Sequence, residues 1–150
     1  MTVVTVQGIA EREVYSWRLT ACPGSVARWR RVAAETVAML GGDQDAVALA
    51  RLGLSELLSN VVKHVADRRC LLVIAAEGEN LRVTVQDRSV EVPAVMNPRT
   101  DEECGRGLWL LREMAKDLGY ICLPGGKAVW FRCPLVRGSE GGVCAPLGGE

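Results

Sequence analysis

Cys70-Leu-Leu-Val-Ile-Ala-Ala76, Glu77-Gly-Glu-Asn80 and Leu81-Arg-Val-Thr-Val-Gln86 follow one another without interruption. Two apolar runs rich in β-branched residues, joined by four residues of turn chemistry, predict a β-hairpin. Upstream the period changes from two to three and four. From Ser25 to Leu40, after Pro23-Gly24, the residues Val26, Trp29, Ala33, Val37 and Leu40 share one helical face and leave Arg28, Arg31 and Glu35 on the other. Gly41-Gly42 ends that helix. Asp43 caps a second one running to about residue 66, with the stripe Val47, Ala50, Leu54, Leu57, Val61 and Val65. Further upstream, residues 3–7 and 13–20 have strand composition.

Downstream of the hairpin, residues 88–104 show no period and contain two prolines, a long loop of the kind that carries function. A third helix is predicted from about Gly107 to Leu118 on the stripe Leu108, Leu111, Ala115 and Leu118. Residues 121–123 and 127–133, around Pro124-Gly-Gly126, form a closing hairpin. Residues 134–150 are Gly/Pro-rich without periodicity and are expected to be a disordered tail behind a domain at 1–133. The order β-β-α-α-β-β-α-β-β is not the alternation of a doubly wound fold. It predicts an α+β two-layer sandwich, a mixed, mainly antiparallel sheet against three helices, with a ligand between the layers.

Composition sets the outer limits. A chain of 150 residues, 49% hydrophobic and 24% charged, is of single-domain size and can bury a real core. Lys+Arg and Asp+Glu both number 18, so net charge offers no reason to expect direct nucleic-acid or membrane-surface binding. The first residues lack a basic leader with an apolar core, and no apolar run is long enough to span a bilayer, so a cytoplasmic location is expected. Six cysteines without C-x-x-C spacing argue against zinc and, in a reducing compartment, against disulfides. Cys104, just before a glycine loop, has reactive-thiol character as the alternative to a bland one.

Three features carry candidate chemistry. Glu56 and Asn60 are four apart, hence stacked on one face of the second helix, with Leu52 and His64 extending the row. Their hard oxygens suit Mg2+ beside phosphate, against the alternative of a solvated polar face. Asp87 shares a strand face with Leu81, Val83 and Val85; if those point inward so does the carboxylate, and an exocyclic amine of adenine is a suitable donor to it. The alternative is a plain turn residue. Gly105-Arg106-Gly107 precedes a periodic helix, so its backbone can approach a phosphate at the helix N-terminus, or can be an ordinary glycine-rich helix start. Neither a G-x-x-x-x-G-K-[ST] loop nor a strand-linked G-x-G-x-x-G occurs.

In their order and spacing these segments resemble the ATP-binding domain shared by gyrase, histidine kinases and bacterial anti-sigma-factor kinases, the Bergerat or histidine-kinase-like ATPase type, over about residues 26 to 133. Ser55-Glu-Leu-Leu-Ser-Asn-Val-Val-Lys-His64 is similar to the family's asparagine box. Val83-Thr-Val-Gln-Asp-Arg-Ser89 is similar to its aspartate box, Gly105-Arg-Gly-Leu-Trp-Leu-Leu111 to its second glycine box, and Gly125-Gly-Lys-Ala-Val-Trp-Phe131 to its closing hairpin. The short length and the Gly-Arg-Gly-Leu sequence resemble the serine/threonine-kinase anti-sigma factors, especially short actinobacterial ones.

The resemblance implies ATP and Mg2+ as cofactors. Asn60 would hold the metal, Glu56 would orient or deprotonate the attacking hydroxyl, and Asp87 would bind the adenine amine. Gly105, Arg106, Gly107 and Leu108 would form the phosphate loop, with Lys63 and His64 flanking the nucleotide. For His64, packing beside the site stands against a role as phosphoacceptor or base. The implied function is an anti-sigma factor and serine/threonine protein kinase that phosphorylates an anti-anti-sigma (STAS-type) antagonist and sequesters a sigma factor. Arg28, Arg30 and Arg31 would face an acidic partner, and a homodimer is a family expectation. Alternatives are a regulator acting by protein binding alone and a nucleotide-free interaction module. Two positions depart from the pattern. Asp87 is followed by Arg88-Ser-Val-Glu91 where the family has Asp-x-Gly-x-Gly, and Ala128 stands where the closing hairpin carries a threonine. Both imply a weaker hold on adenine.

Overall fold

Strict alternation of apolar residues builds a sheet with one dry face, and helical stripes cover that face. The computed structural model describes residues 2–3, 13–91, 113 and 117–135. Its elements run β1 Thr2–Val3, β2 Val14–Thr20, α1 Val26–Met39, α2 Gln44–His64, β3 Arg69–Glu77, β4 Asn80–Asp87, β5 Asp117–Leu123 and β6 Gly126–Pro134, with a short 3-10 turn Pro23–Ser25 before α1. The strands form one sheet in the order β1-β2-β3-β4-β6-β5. Every pairing between them is antiparallel.

The inward face is set by period two. Leu72 and Ile74 of β3, Leu81, Val83 and Val85 of β4, and Val129, Phe131 and Cys133 of β6 are all buried. They meet Leu54, Leu57, Leu58 and Val61 of α2 and Ala33 and Val37 of α1. Both helix ends follow from local chemistry. After α1, Gly41 adopts φ 94°, its N–H donates to the Ala38 carbonyl at 3.1 Å, and the Gly42 N–H donates to Val37 at 2.9 Å. That pair of bonds is a Schellman closure, which a residue with a side chain would strain at φ > 0. At the start of α2 the Asp43 carboxylate accepts from the Ala46 N–H at 2.8 Å, the cap expected from sequence.

Gly53 sits in mid-helix because a Cβ there would fall within the Phe131 ring, 2.5 Å from Cε1. Its absence lets α2 lie close on β6. The opposite, outward face of the sheet holds Trp130 between two guanidinium groups, Arg82 at 4.9 Å and Arg132 at 5.2 Å from the ring centre.

Two boundaries differ from expectation. The helix expected over 107–118 lies outside the described residues except for Glu113, which is helical, and its end at Leu118 is replaced by strand, since β5 begins at Asp117. Leu118 fits the helical stripe, but it also alternates with Tyr120, and Gly119 between them lies under the Trp130 indole, where a Cβ would come 2.5 Å from Cζ2. At the C-terminal side, β6 extends one residue past 133, to Pro134, and the Leu135 N–H beyond it donates to the Glu79 carbonyl at 2.7 Å.

Candidate active site

The apolar stripe of α2 fixes where its polar row falls. Leu54, Leu57, Leu58 and Val61 turn to the sheet, which leaves Glu56 and Asn60 half-buried at its margin and Lys63 and His64 exposed in the last turn. Burial pushes the Glu56 carboxyl above its ordinary range, and Lys63 pulls it back only in part. A carboxylate so perturbed holds a proton more firmly, which is what a general base needs. Glu56 lines a cavity of about 550 Å³ between the helices, together with Arg30, Arg31 and Arg51. Ser55, also in that wall, has a buried hydroxyl with no hydrogen-bond partner.

Asp87 ends β4 on the same face as Leu81, Val83 and Val85, and all four are buried. Its charge is met by Lys127, its antiparallel partner on β6. Lys127 Nζ lies 3.0 Å from Oδ1 and 3.0 Å from Oδ2, and only 7% of the lysine and 4% of the aspartate side chain remain exposed. Such a pair survives burial because each ion cancels the other's desolvation cost at close range. Cys70 feels the same carboxylate: burial first, then the negative charge of Asp87, push its thiol up to about 11.

The glycine turn lacking after Asp87 is replaced by side-chain chemistry. The Ser89 N–H donates to Asp87 Oδ1 at 2.8 Å, and the Glu91 N–H donates to the Ser89 hydroxyl at 3.2 Å. These are an Asx turn followed by its serine counterpart. Arg88 reaches Asp67 at 3.3 Å, where Arg69 also binds at 2.8 Å, and that arginine pairing holds the Asp67 carboxyl well below the usual range. A second cavity, of about 600 Å³, lies at this end of the sheet beside Asp87, Arg18, Arg69 and Arg88.

Sequence reasoning pairs Ala128 with the adenine end, and the register corrects it. Ala128 is opposite Gln86, on the outward face, whereas Lys127 is opposite Asp87 on the inward one. Lys127 escapes a reading by motif although its signal is present: it alternates with Val129, Phe131 and Cys133, all inward. Gly126, just before it, must be glycine because a Cβ would collide with the Asp87 carbonyl.

Glu56 with Asn60, and Asp87 with Lys127, are thus the two halves the described residues supply, and of these Glu56 and Asp87 line separate cavities. Gly105, Arg106, Gly107, Leu108 and Cys104 lie outside the described residues. No group of three or more His, Cys, Asp or Glu placed to hold a metal occurs among the described residues. The donor set fits a Mg2+ bound mainly through phosphate and water, with the Asn60 carboxamide as protein ligand. The buried Asp87 carboxylate fits a hydrogen-bond donor of a base, though Lys127 already claims both its oxygens. No helix among the described residues is long and apolar enough to cross a membrane.

A family model described as the histidine kinase-like ATPase domain matches residues 19–133. The fold is similar to the crystal structure of the RsbU and RsbW domains of Rv1364c from Mycobacterium tuberculosis, with a TM-score of 0.62 and 20% identity over 81% of this chain and 32% of that one. A histidine kinase domain from the Erythrobacter litoralis EL346 blue-light activated histidine kinase aligns at a TM-score of 0.49 and 19% identity, over 73% of this chain and 61% of that one. At such identities the likeness is one of fold, and the chain spans about a third of the first of these structures. No curated protein matches.

Proposed function

This chain belongs to the histidine kinase-like ATPase domain family, and from that premise we propose that it is a Mg-ATP-dependent protein kinase acting on a serine or threonine of a partner protein. The observation that carries the reading is Glu56, a carboxyl half-withdrawn from water and raised in pKa, one helical turn before Asn60 on the same row. Glu56 accepts the proton of the attacking hydroxyl. The oxygen then forms its bond to the γ-phosphorus as the bond to the β-phosphate oxygen breaks, and ADP leaves. Asn60 would hold a Mg2+ ion, which would neutralise phosphate charge, and Gly105, Arg106, Gly107 and Leu108 would supply the phosphate loop, with Lys63 and His64 flanking the nucleotide.

The partner side of the proposal is an anti-sigma role in the cytoplasm, with a STAS-type antagonist as phosphoacceptor and a sigma factor as the sequestered protein. The exposed Arg28, Arg30 and Arg31 of α1 support an acidic contact surface, and two of them share the cavity of Glu56. Labelled ATP incubated with a candidate antagonist tests the reading. Transfer by wild type that is lost in Glu56→Ala is expected, and no transfer by wild type sinks the kinase.

One observation favours a second reading, a regulator that acts by protein binding alone. Lys127 occupies both oxygens of Asp87, the group that would read adenine. Thermal stability with Mg-ATP separates the two: a ligand at a hundred times its dissociation constant adds roughly 2.7 kcal/mol. No shift would favour the binding-only reading.

A further inference from the structure

The face of the sheet turned away from the helices is positively charged at one end. Alternation turns Leu19, Cys70 and Asp87 toward the helices, so Arg18, Leu71 and Gln86, cross-strand partners in one row, stand on the outward face. The next row pairs Thr20 with Arg69. Arg88, just past β4, is held beside Arg69 because both guanidiniums bind Asp67, at 3.3 Å and 2.8 Å. All six of these outward residues line one cavity of about 600 Å³. Small-molecule sites span about 300–1,000 Å³. The charge around this cavity is unbalanced. Asp67 is the one carboxylate paired with its arginines among the described residues, and Arg18 makes no ion pair there. Asp87, the acid at the rim, is already neutralised by Lys127. Asp67 grips the Arg69 guanidinium at Nε, 3.0 Å, and at Nη2, 2.8 Å, which fixes its plane and leaves the Nη1 edge to donate elsewhere. A donor fixed before its ligand arrives loses little freedom on binding it.

A carboxylate brings a single charge to such a site. A phosphomonoester brings about 1.5 to 2 negative charges at pH 7 and three acceptor oxygens, enough for each of Arg18, Arg69 and Arg88 to take one. Planar guanidinium forks also match phosphate geometry. The cavity is roomier than a phosphate group alone, and the half-buried Leu71, between Arg18 and Gln86, offers apolar contact to the body that carries the phosphate. We propose that the outward end of β2, β3 and β4 is a phosphomonoester-binding site built on Arg18, Arg69 and Arg88. It stands apart from the nucleotide reading, because Asp87 turns to the helix layer and these arginines line the other side of the sheet.

Calorimetric titration of the full chain tests this, with a short alanine-flanked phosphoserine peptide, its serine twin, its glutamate twin and inorganic phosphate as probes. The phosphopeptide is expected to bind about tenfold or more tighter than either twin. Arg18→Gln, which breaks no ion pair among the described residues, is expected to weaken that binding by about tenfold or more, with circular dichroism as the check of folding. Inorganic phosphate that binds as tightly as the phosphopeptide would identify the free anion as the ligand. A phosphopeptide tighter than inorganic phosphate by about tenfold would identify a phosphorylated side chain, and both results support the site. A glutamate twin as tight as the phosphopeptide overturns the assignment to a phosphate. Binding of neither phosphopeptide nor phosphate overturns the site, and these wild-type results need no variant to fold. A folded Arg18→Gln that binds like wild type puts the anion elsewhere and overturns the proposal as well.

Discussion

Lys127 and Asp87 are cross-strand partners on β6 and β4, with Nζ 3.0 Å from each carboxylate oxygen and less than a tenth of either side chain exposed. A pair this dry is asymmetric in its energetics. Replacing both ions by neutral groups sacrifices little, because their desolvation cost disappears with their attraction, whereas removing one strands the other. Lys127→Met alone should therefore destabilise the domain by about 3–5 kcal/mol in urea unfolding. The double variant Asp87→Asn with Lys127→Met should recover most of that loss. A single variant within about 0.5 kcal/mol of wild type would mean that the ions are not paired in solution.

Glu56 makes the opposite prediction at the other half of the site. Its folded pKa is raised by burial, so between the ordinary glutamate value and the raised one the folded state binds more protons than the unfolded chain. Stability from this group is fully present below the unfolded value and is lost as pH rises through the folded one. Glu56→Gln should consequently raise Tm at pH 7, flatten that part of the stability profile, and yet lower phosphotransfer by about 10²–10⁴-fold if Glu56 is the base. Thermal melts at a series of pH values read the first effect and labelled-ATP transfer the second. A Glu56→Gln variant with an unchanged pH profile would remove the argument that burial tunes this carboxyl.

How much of this is legible beforehand depends on whether a residue's surroundings are local. The Asp43 cap, the Gly41 closure and the inward set Leu81, Val83, Val85 and Asp87 follow from contacts within a few residues, and each is readable from spacing. Leu118 is not, because a leucine satisfies a helical stripe and a strand face equally, and the residue that decides is Gly119 under an indole eleven positions away in sequence, at Trp130. Lys127 is not, because the partner of Asp87 is fixed by the register of two strands forty residues apart. Family resemblance points at the neighbouring Ala128, which the period-two rule places on the other face. Sequence locates the site's ends but not which side chain closes one of them.

The cysteines should divide by burial when the native chain is alkylated. Cys70 and Cys133 are buried, and desolvation pushes their thiols to about 11 and about 12, so almost no thiolate is available at neutral pH. Cys22 is exposed, and its hydrogen bonding with Ser25 lowers its pKa. Peptide mapping after brief iodoacetamide treatment at pH 7.5 should find Cys22 labelled well before Cys70 and Cys133, with the difference erased in denaturant. Early labelling of Cys70 would mean that the strand row beside Asp87 opens in the native state.

Gly53 offers the sharpest test of the helix-on-sheet packing that carries the Glu56 row. By intrinsic propensity, alanine in mid-helix is better than glycine by about 1 kcal/mol, so an isolated α2 would gain from Gly53→Ala. In the folded domain the new Cβ would lie 2.5 Å from Cε1 of Phe131, a ring with no exposure. Overpacking of this kind costs about 1–3 kcal/mol, enough to reverse the propensity gain. Gly53→Ala should thus lower stability in urea unfolding. Adding Phe131→Leu, which makes room beneath the helix, should cost less in the Gly53→Ala background than in wild type, and that coupling in a double-mutant cycle is the decisive reading. Because Glu56 lies one helical turn from Gly53, a shift of α2 away from the sheet should also relax the burial that raises its carboxyl. The pH dependence of stability assigned to Glu56 should therefore shrink in Gly53→Ala; additive single and double effects with an unaltered pH profile would show that the helix and the ring are not in contact.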